Sequence, residues 1–133
     1  MALDLGIESI SKLPLDRRAA IFIAEGVLMY LQPTTVSRVF AQLRAAPVDK
    51  MRILFSFMTR WVDGTKGFRP CSWWIERWLA AQREPFSWAL EPPAMREYLA
   101  GFGFDLMEMA TTKQLASEPV RLEGENLVIC EAG

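Results

Sequence analysis

Continuous apolar runs and one helical repeat follow each other in the first half of the chain. The run Ala20–Ala24 is bounded by charged residues and predicts a strand that is buried on both faces. The run Met51–Met58 contains Ile and Phe and predicts a second buried strand. From Pro33 onward, apolar residues recur at the spacing of an amphipathic helix entered through a proline, at Val36, Val39, Phe40 and Leu43. We therefore expect a βαβ unit with a right-handed crossover between parallel strands.

The second half begins with the turn-rich segment Asp63–Gly67 and predicts two helices and two strands. One helix is capped by Ser72, and another begins at Pro92 and ends near Gly101–Gly103. Their inward positions are Trp74, Ile75, Trp78 and Leu79 on the first, and Met95, Tyr98, Leu99 and Phe102 on the second. The segments Phe104–Met109 and Asn126–Ala132 predict closing strands, which suit an antiparallel return at a sheet edge.

These elements predict a single α/β domain over all 133 residues, with a four-stranded sheet and helices on its faces. No repeat, low-complexity tract or linker divides the chain. The first residues supply only Ala2–Leu3 as a possible strand, although the strand at Ile21 is apolar enough to require neighbours on both sides. The sequence therefore predicts a sheet that lacks some of its strands.

Composition and charge exclude several classes of partner. Hydrophobic residues make up 51% of the chain and charged residues 23%, which predicts a folded protein. The net charge of −1 provides no excess of positive charge for binding nucleic acid or an anionic membrane. No apolar run is long enough to cross a bilayer, and the first residues lack the basic region of a signal peptide. With only Cys71 and Cys130, a reducing cytoplasmic location is expected.

The chain contains no histidine, which limits the chemistry it can perform. Ser-His-Asp and Cys-His nucleophile systems and imidazole zinc sites are excluded, and two cysteines cannot form a four-thiolate zinc site. We expect no metal. Any general base would be an Asp, Glu or Tyr, and the sequence assigns no catalytic residue.

A family resemblance rests on several motifs. The segment Ile23–Pro33, with an acidic residue followed by Gly-Val-Leu-Met-Tyr-Leu, resembles the strand-to-helix motif of the leucine carboxyl methyltransferase-like family. The segments Arg83–Trp88, Pro92–Pro93 and Leu99–Phe104 are similar to the later pattern of that family, so the resemblance covers most of the chain. Leu3–Leu5 resembles its short acidic strand end. The family uses S-adenosylmethionine and includes bacterial O-methyltransferases for small molecules.

The resemblance implies an α/β fold that is a partial class I methyltransferase (Rossmann-like) sheet, comprising strands four to seven with flanking helices. Such folds hold the cofactor partly with a glycine-rich loop, where backbone amides approach the ligand closely. Neither Gly64–Gly67 nor Gly101–Gly103 has the required context. The chain is thus expected to be the C-terminal portion of a methyltransferase domain, and to bind S-adenosylmethionine weakly or not at all alone.

The same resemblance implies three cofactor-binding residues. Glu25 would accept a hydrogen bond from the ammonium of the methionine moiety, while Asp4 and Leu5 would hold the adenine. The alternative for Glu25 is that it ends the strand and pairs with a basic residue or with water.

Three aromatic residues are candidates for contact with the methyl acceptor. Tyr30 can reach the expected cleft with its hydroxyl, but a packing role is the alternative. Trp73 and Trp88 belong to a tryptophan-rich region that would help to cover an apolar acceptor, or would pack on the sheet.

Three functions remain open at this stage. The first is an S-adenosylmethionine-dependent O-methyltransferase acting on a carboxyl or hydroxyl group of a small molecule, by in-line displacement. The second is a non-catalytic remnant that assembles through an open sheet edge, with a second copy or with a separate N-terminal half. The third is a binder of a small apolar ligand that uses the tryptophan region.

Overall fold

A computed structural model describes residues 4–5, 8–69, 77, 86–115 and 123–133. The strands are β1 Ala19–Ala24, β2 Lys50–Thr59, β3 Ala89–Leu90, β4 Asp105–Thr111 and β5 Glu125–Ala132. The α-helices are α1 Pro33–Ala45, α2 Met95–Ala100 and α3 Thr112–Leu115. Single 3-10 turns lie at Ile10–Lys12, Leu28–Tyr30 and Pro92–Ala94. The predicted helix after Ser72 and the predicted strand Ala2–Leu3 lie outside the described residues.

All five strands form one sheet, in which β1, β2, β5 and β4 are neighbours in that order and the short β3 pairs with the end of β2. β1 and β2 are parallel and joined through α1, which confirms the predicted βαβ unit. β5 is antiparallel to both β2 and β4. The closing strands are therefore antiparallel as predicted, but β5 lies inside the sheet. In that position the backbone groups of β5 form hydrogen bonds with β2 on one side and β4 on the other. Among the described strands, β4 is then the edge strand.

The core lies between one face of the sheet and the two longer helices. Val36, Val39, Phe40 and Leu43 of α1 are all buried, as their spacing predicts. The ring of Phe40 meets that of Phe55 on β2 edge to face, with centroids 5.2 Å apart. The predicted inward face of the second helix is also confirmed, because Met95 and Leu99 are buried and Tyr98 and Phe102 pack against the same core. Burial of these aromatic side chains accounts for much of the stability of the fold.

The opposite face of β1 departs from the sequence-based expectation. Ile21 and Ile23 are 69% and 65% exposed, whereas Phe22 and Ala24 point to the core side. The prediction that this strand is covered on both faces is therefore wrong for the described part of the chain. Side chains alternate along a strand, and α1 covers only one of the two faces. The apolar composition of the strand does not reveal whether a second layer is present.

A row of apolar side chains crosses this open face. Ile23 on β1 is in register with Leu54 on β2, which is in register with Ile129 on β5. We call Ile21, Ile23, Leu54 and Ile129 the open face. Among the described residues, β1 pairs only with β2, so the outer edge of β1 is also unpaired there. An apolar face beside a free strand edge is unusual on a stable monomer.

One end of the open face carries an ion-pair cluster. Glu131 on β5 accepts hydrogen bonds from Arg52 at 2.6 Å and lies 3.1 Å from the ammonium of Lys50. The hydrogen bond from Arg52, and then that from Lys50, lowers the pKa of Glu131. Because the folded state lowers this pKa, the cluster stabilises the fold above the pKa of an unfolded glutamate. That contribution is lost as the pH falls through the lowered value.

Among the described residues, none of the helices combines the length and the hydropathy that a membrane-spanning helix requires.

Two isoleucines on adjacent strands test the asymmetry of the sheet. Ile53 is fully buried on β2, and Ile23 is 65% exposed on β1. We expect Ile53→Ala to lower the free energy of unfolding by about 2–5 kcal/mol, since it leaves a cavity in the core. Ile23→Ala should lower it by less than about 1 kcal/mol, because most of its surface already meets water. Urea denaturation measures both, and equal losses would show that a second layer covers Ile23 in solution.

Candidate functional site

The candidate site begins at the carboxyl end of β1. Glu25 and Gly26 follow that strand directly, and Gly26 has a φ of 66°, a left-handed conformation that glycine adopts easily. The backbone N–H of Gly26 donates a hydrogen bond of 2.7 Å to Oγ of Ser56 on β2. The neighbouring parallel strand therefore fixes the turn that presents Glu25. Ligands of open α/β sheets bind at this end of parallel strands.

Glu25 lines a small hollow of about 100 Å³. The other lining residues are Ser56, Leu115, Glu125, Asn126 and Leu127. Glu25 is exposed, so its carboxylate is accessible to a ligand. A carboxylate in this position can accept a charge-assisted hydrogen bond from an ammonium group. The structure thus places Glu25 beside a hollow at the strand ends, and its role toward a cofactor stays a prediction.

A larger cleft of about 460 Å³ lies at the carboxyl end of β2. Its walls include Thr59, Arg60, Trp61 and Val62 from the end of β2 and the loop after it, and Pro92 and Pro93 from the turn before α2. Asn126 lines both cavities, but they lie on opposite faces of the sheet. Ser56 and Leu127 of the small hollow share a face with Leu54 and Ile129, whereas Thr59 and Asn126 belong to the core face. Sequence reasoning missed the cleft. Two signals could have found it, the polar residues at the ends of the apolar strands and the Pro92–Pro93 motif.

A buried polar pair lies at the inner end of the cleft. Nδ2 of Asn126 donates hydrogen bonds to Oγ1 of Thr59 at 2.8 Å and to the carbonyl of Gly124 at 3.2 Å. Asn126 and Thr59 are 3% and 7% exposed. Because Oγ1 of Thr59 accepts from Asn126, the threonine hydroxyl proton is available to donate to another group.

Trp61 is held in place on the wall of the cleft. Its Nε1 donates to the carbonyl of Gly67 at 2.8 Å, and the guanidinium of Arg69 lies 4.6 Å from the ring centroid. Asp63 pairs with Arg69, and hydrogen bonds from Thr65 are the main cause of the lowered pKa of Asp63. This loop therefore holds the indole through a hydrogen bond and a cation–π contact.

Two glycines bring the loop after β2 and the start of β5 together. Gly124 has a φ of 137°, and a Cβ atom there would lie 2.4 Å from the carbonyl oxygen of Gly67. The backbone at this crossing has no room for a side chain. Only glycine allows such an approach.

Two of the three aromatic candidates, Tyr30 and Trp88, lie outside both cavities. Tyr30 stacks on Phe86 with centroids 5.5 Å apart, and its side chain is 38% exposed. Trp88 is 3% exposed and packs against Phe57 and Tyr98. Neither residue lines the cavities described above. Their packing favours structural roles, and contact with an acceptor stays a prediction. Trp73 lies outside the described residues.

The N-terminal candidates lie along α1. The backbone N–H of Asp4 donates to the carboxylate of Glu8 at 2.9 Å, so Asp4 forms part of a local turn. The carbonyl of Leu5 accepts a hydrogen bond of 2.7 Å from Arg38 of α1. Neither Asp4 nor Leu5 lines the two cavities, and their contact with an adenine stays a prediction.

The sheet, its helical cover and the cavities at the strand ends define the class of fold. It is a mixed α/β fold that corresponds to part of the Rossmann-like fold of class I methyltransferases. No protein-family profile and no curated protein sequence matches the chain. The fold assignment therefore rests on solved structures.

Three of these structures illustrate the likeness. Magnesium protoporphyrin IX methyltransferase (ChlM) from Synechocystis PCC 6803, with bound SAH, matches with a TM-score of 0.56 and 14% identity, over 100% of this chain and 50% of that one. TnmH matches with a TM-score of 0.55 and 15% identity, over 91% of this chain and 32% of its own. The pyocyanin biosynthetic protein PhzM gives a TM-score of 0.51 and 12% identity, over 85% and 30% respectively. The chain thus spans half or less of these neighbours.

The hydrogen bond from Gly26 to Ser56 can be tested by substitution. Ser56→Ala removes the acceptor, so we expect a loss of about 1 kcal/mol in the free energy of unfolding. We also expect faster hydrogen exchange of the Gly26 amide, because the turn that presents Glu25 loses its tether. Ser11→Ala, at an exposed serine, is the matched control. Unchanged exchange at Gly26 in the Ser56 variant would contradict this account of the turn.

Proposed function

We propose that this chain is the carboxyl-terminal part of an S-adenosylmethionine-dependent O-methyltransferase that acts on a small molecule. The observation that carries the proposal is the position of Glu25, at the carboxyl end of a parallel strand and beside a cavity, in a partial class I methyltransferase fold. The motif around Glu25 resembles that of leucine carboxyl methyltransferase-like proteins. ChlM, which shares the fold, was crystallised with SAM and with SAH, and this supports the choice of cofactor.

The residues present fit one wall of a cofactor site. Glu25 would accept a hydrogen bond from the ammonium of S-adenosylmethionine, and the Gly26–Ser56 hydrogen bond would keep that carboxylate in position. Asp4 and Leu5 are proposed to contact the adenine. The glycine-rich loop that would supply the opposite wall has no counterpart in the sequence. For this reason the chain alone is expected to bind the cofactor weakly or not at all.

The bound cofactor would supply an electrophilic methyl group on a sulfonium. The task of the protein is then to align the acceptor with that group and to exclude water. The cleft and the Glu25 hollow lie at the same end of the sheet, on its two faces, and the acceptor is proposed to occupy the cleft. A carboxylate acceptor needs no base. A hydroxyl acceptor needs an acidic residue or a tyrosine as base, because the chain has no histidine.

The open face supports one alternative function. The exposed Ile21 and Ile23 lie on a strand whose outer edge is unpaired among the described residues. Such an edge can pair with a strand of another chain, either a second copy or a separately encoded N-terminal half. In this alternative the chain is a non-catalytic assembly module.

The first test of the methyltransferase proposal is the DNA sequence of the gene. We expect the DNA upstream to encode a glycine-rich loop in the same reading frame. Titration calorimetry of the longer chain should then show S-adenosylmethionine binding that Glu25→Gln weakens at least about tenfold, because a charged hydrogen bond is lost. Glu97→Gln, at an exposed glutamate of α2, is the matched control and should have no effect.

Two outcomes count against this proposal. Micromolar binding of S-adenosylmethionine by the isolated 133-residue chain would contradict the proposal that it carries only one wall of the cofactor site. Absence of an upstream loop, together with absence of binding, would refute the methyltransferase function.

The assembly alternative predicts that the isolated chain associates through β1. Light scattering should then show a dimer or larger species that Ile23→Lys converts to a monomer, since a charge on the open face cannot be buried unpaired. Met107→Lys, at a residue 59% exposed on the opposite edge strand, is the control and should leave the association intact. A monomeric wild-type chain would rule out assembly with a second copy through this edge.

A further inference from the structure

We infer that the cleft at the end of β2 binds a flat aromatic phenol, with the phenol oxygen hydrogen-bonded to Thr59. This inference names the acceptor class for the methyltransferase proposed above and rests on that proposal for its function. As a binding site, it stands on the geometry of the cleft alone. Of the candidate site residues that the structure describes, Asp4, Leu5, Glu25, Tyr30 and Trp88, none lines this cleft.

The size and walls of the cleft select for a flat apolar ring system. A volume of about 460 Å³ lies within the usual range for small-molecule sites. Trp61, Val62, Pro92 and Pro93 line the cleft and supply apolar surface. Because the indole of Trp61 is fixed by Gly67 and Arg69, it offers a rigid wall for stacking without a further loss of side-chain freedom.

The buried end of the cleft selects for an oxygen atom. Thr59 and Asn126 are nearly inaccessible, whereas Val62 and Pro93 are exposed at the rim. Both amide protons of Asn126 have acceptors, in Thr59 and Gly124, so the hydroxyl proton of Thr59 is the donor that this pair can offer to a ligand. In methyl transfer the phenol oxygen would take the methyl group of S-adenosylmethionine, S-adenosylhomocysteine would leave, and the phenol proton would pass to a carboxylate that lines the cleft, Glu91 or Glu123.

The charged lining residues disfavour a ligand that is strongly charged. Arg60, Glu91 and Glu123 line the cleft and are exposed, so they supply charges of both signs that solvent screens. The two carboxylates outnumber the single guanidinium, which makes an anionic aromatic acid less suitable than a neutral phenol. A phenol offers an apolar body and one oxygen, as the cleft requires.

The inference is tested by measuring the binding of 2-naphthol to the 133-residue chain, without cofactor, by two-dimensional amide NMR. We expect saturable shifts at Thr59, Trp61, Val62 and Asn126, and tighter binding than for 2-naphthoate. Thr59→Val should weaken 2-naphthol about tenfold and leave naphthalene unchanged, because only the phenol uses the hydroxyl. Thr34→Val, at an exposed threonine of α1, is the control. If Thr59→Val fails to fold, two measurements on the wild-type chain decide whether the inference holds. These are the positions of the shifted amides and the order of the affinities for 2-naphthol and 2-naphthoate.

Each remaining outcome bears on the inference. Shifts confined to another region, no binding, or naphthoate binding as tightly as naphthol would overturn it. Saturable binding at the four positions would support it, even if the longer chain binds no S-adenosylmethionine. That last result would refute the methyltransferase function and leave a binding site for phenols.

Discussion

Parallel pairing of β1 with β2 is the constraint on which the rest of the structure depends. The register of Ala24 with Phe55 brings the carboxyl ends of both strands to one edge of the sheet. Ser56, the next residue of β2, then lies within hydrogen-bond reach of the turn after β1 and fixes Glu25. Three residues further on, Thr59 forms the buried end of the cleft. One run of backbone hydrogen bonds therefore places both cavities.

The elements defined by local periodicity could be predicted from the sequence. α1 and α2 have the predicted inward faces because a helical repeat depends mainly on which residues must leave water. β2 was predicted within one residue at each end, since its apolar run is long and bounded by polar residues. The position of β5 inside the sheet could not be predicted, because strand order follows from tertiary pairing. The exposure of Ile21 and Ile23 was missed because composition does not report which layers are present.

The candidate site was predictable only where a contiguous motif carries it. Glu25 follows its strand directly, so its place at a strand end could be inferred from the sequence. The cleft is built by four separate parts of the chain, around Thr59, Pro92, Thr111 and Asn126, and no spacing within a segment brings these together. Trp88 shows the opposite case. A large aromatic near a proposed site suggested ligand contact, but its ring is needed in the core beside Phe57.

The glycine crossing has a mechanical consequence for recognition. Gly67 and Gly124 touch through bare backbone, which fastens the segment carrying Trp61 to the segment carrying Asn126. The span between these two walls is therefore a property of the main chain. Substitutions of the side chains that line the cleft can therefore change which ligand it prefers, while the width of the cleft stays the same.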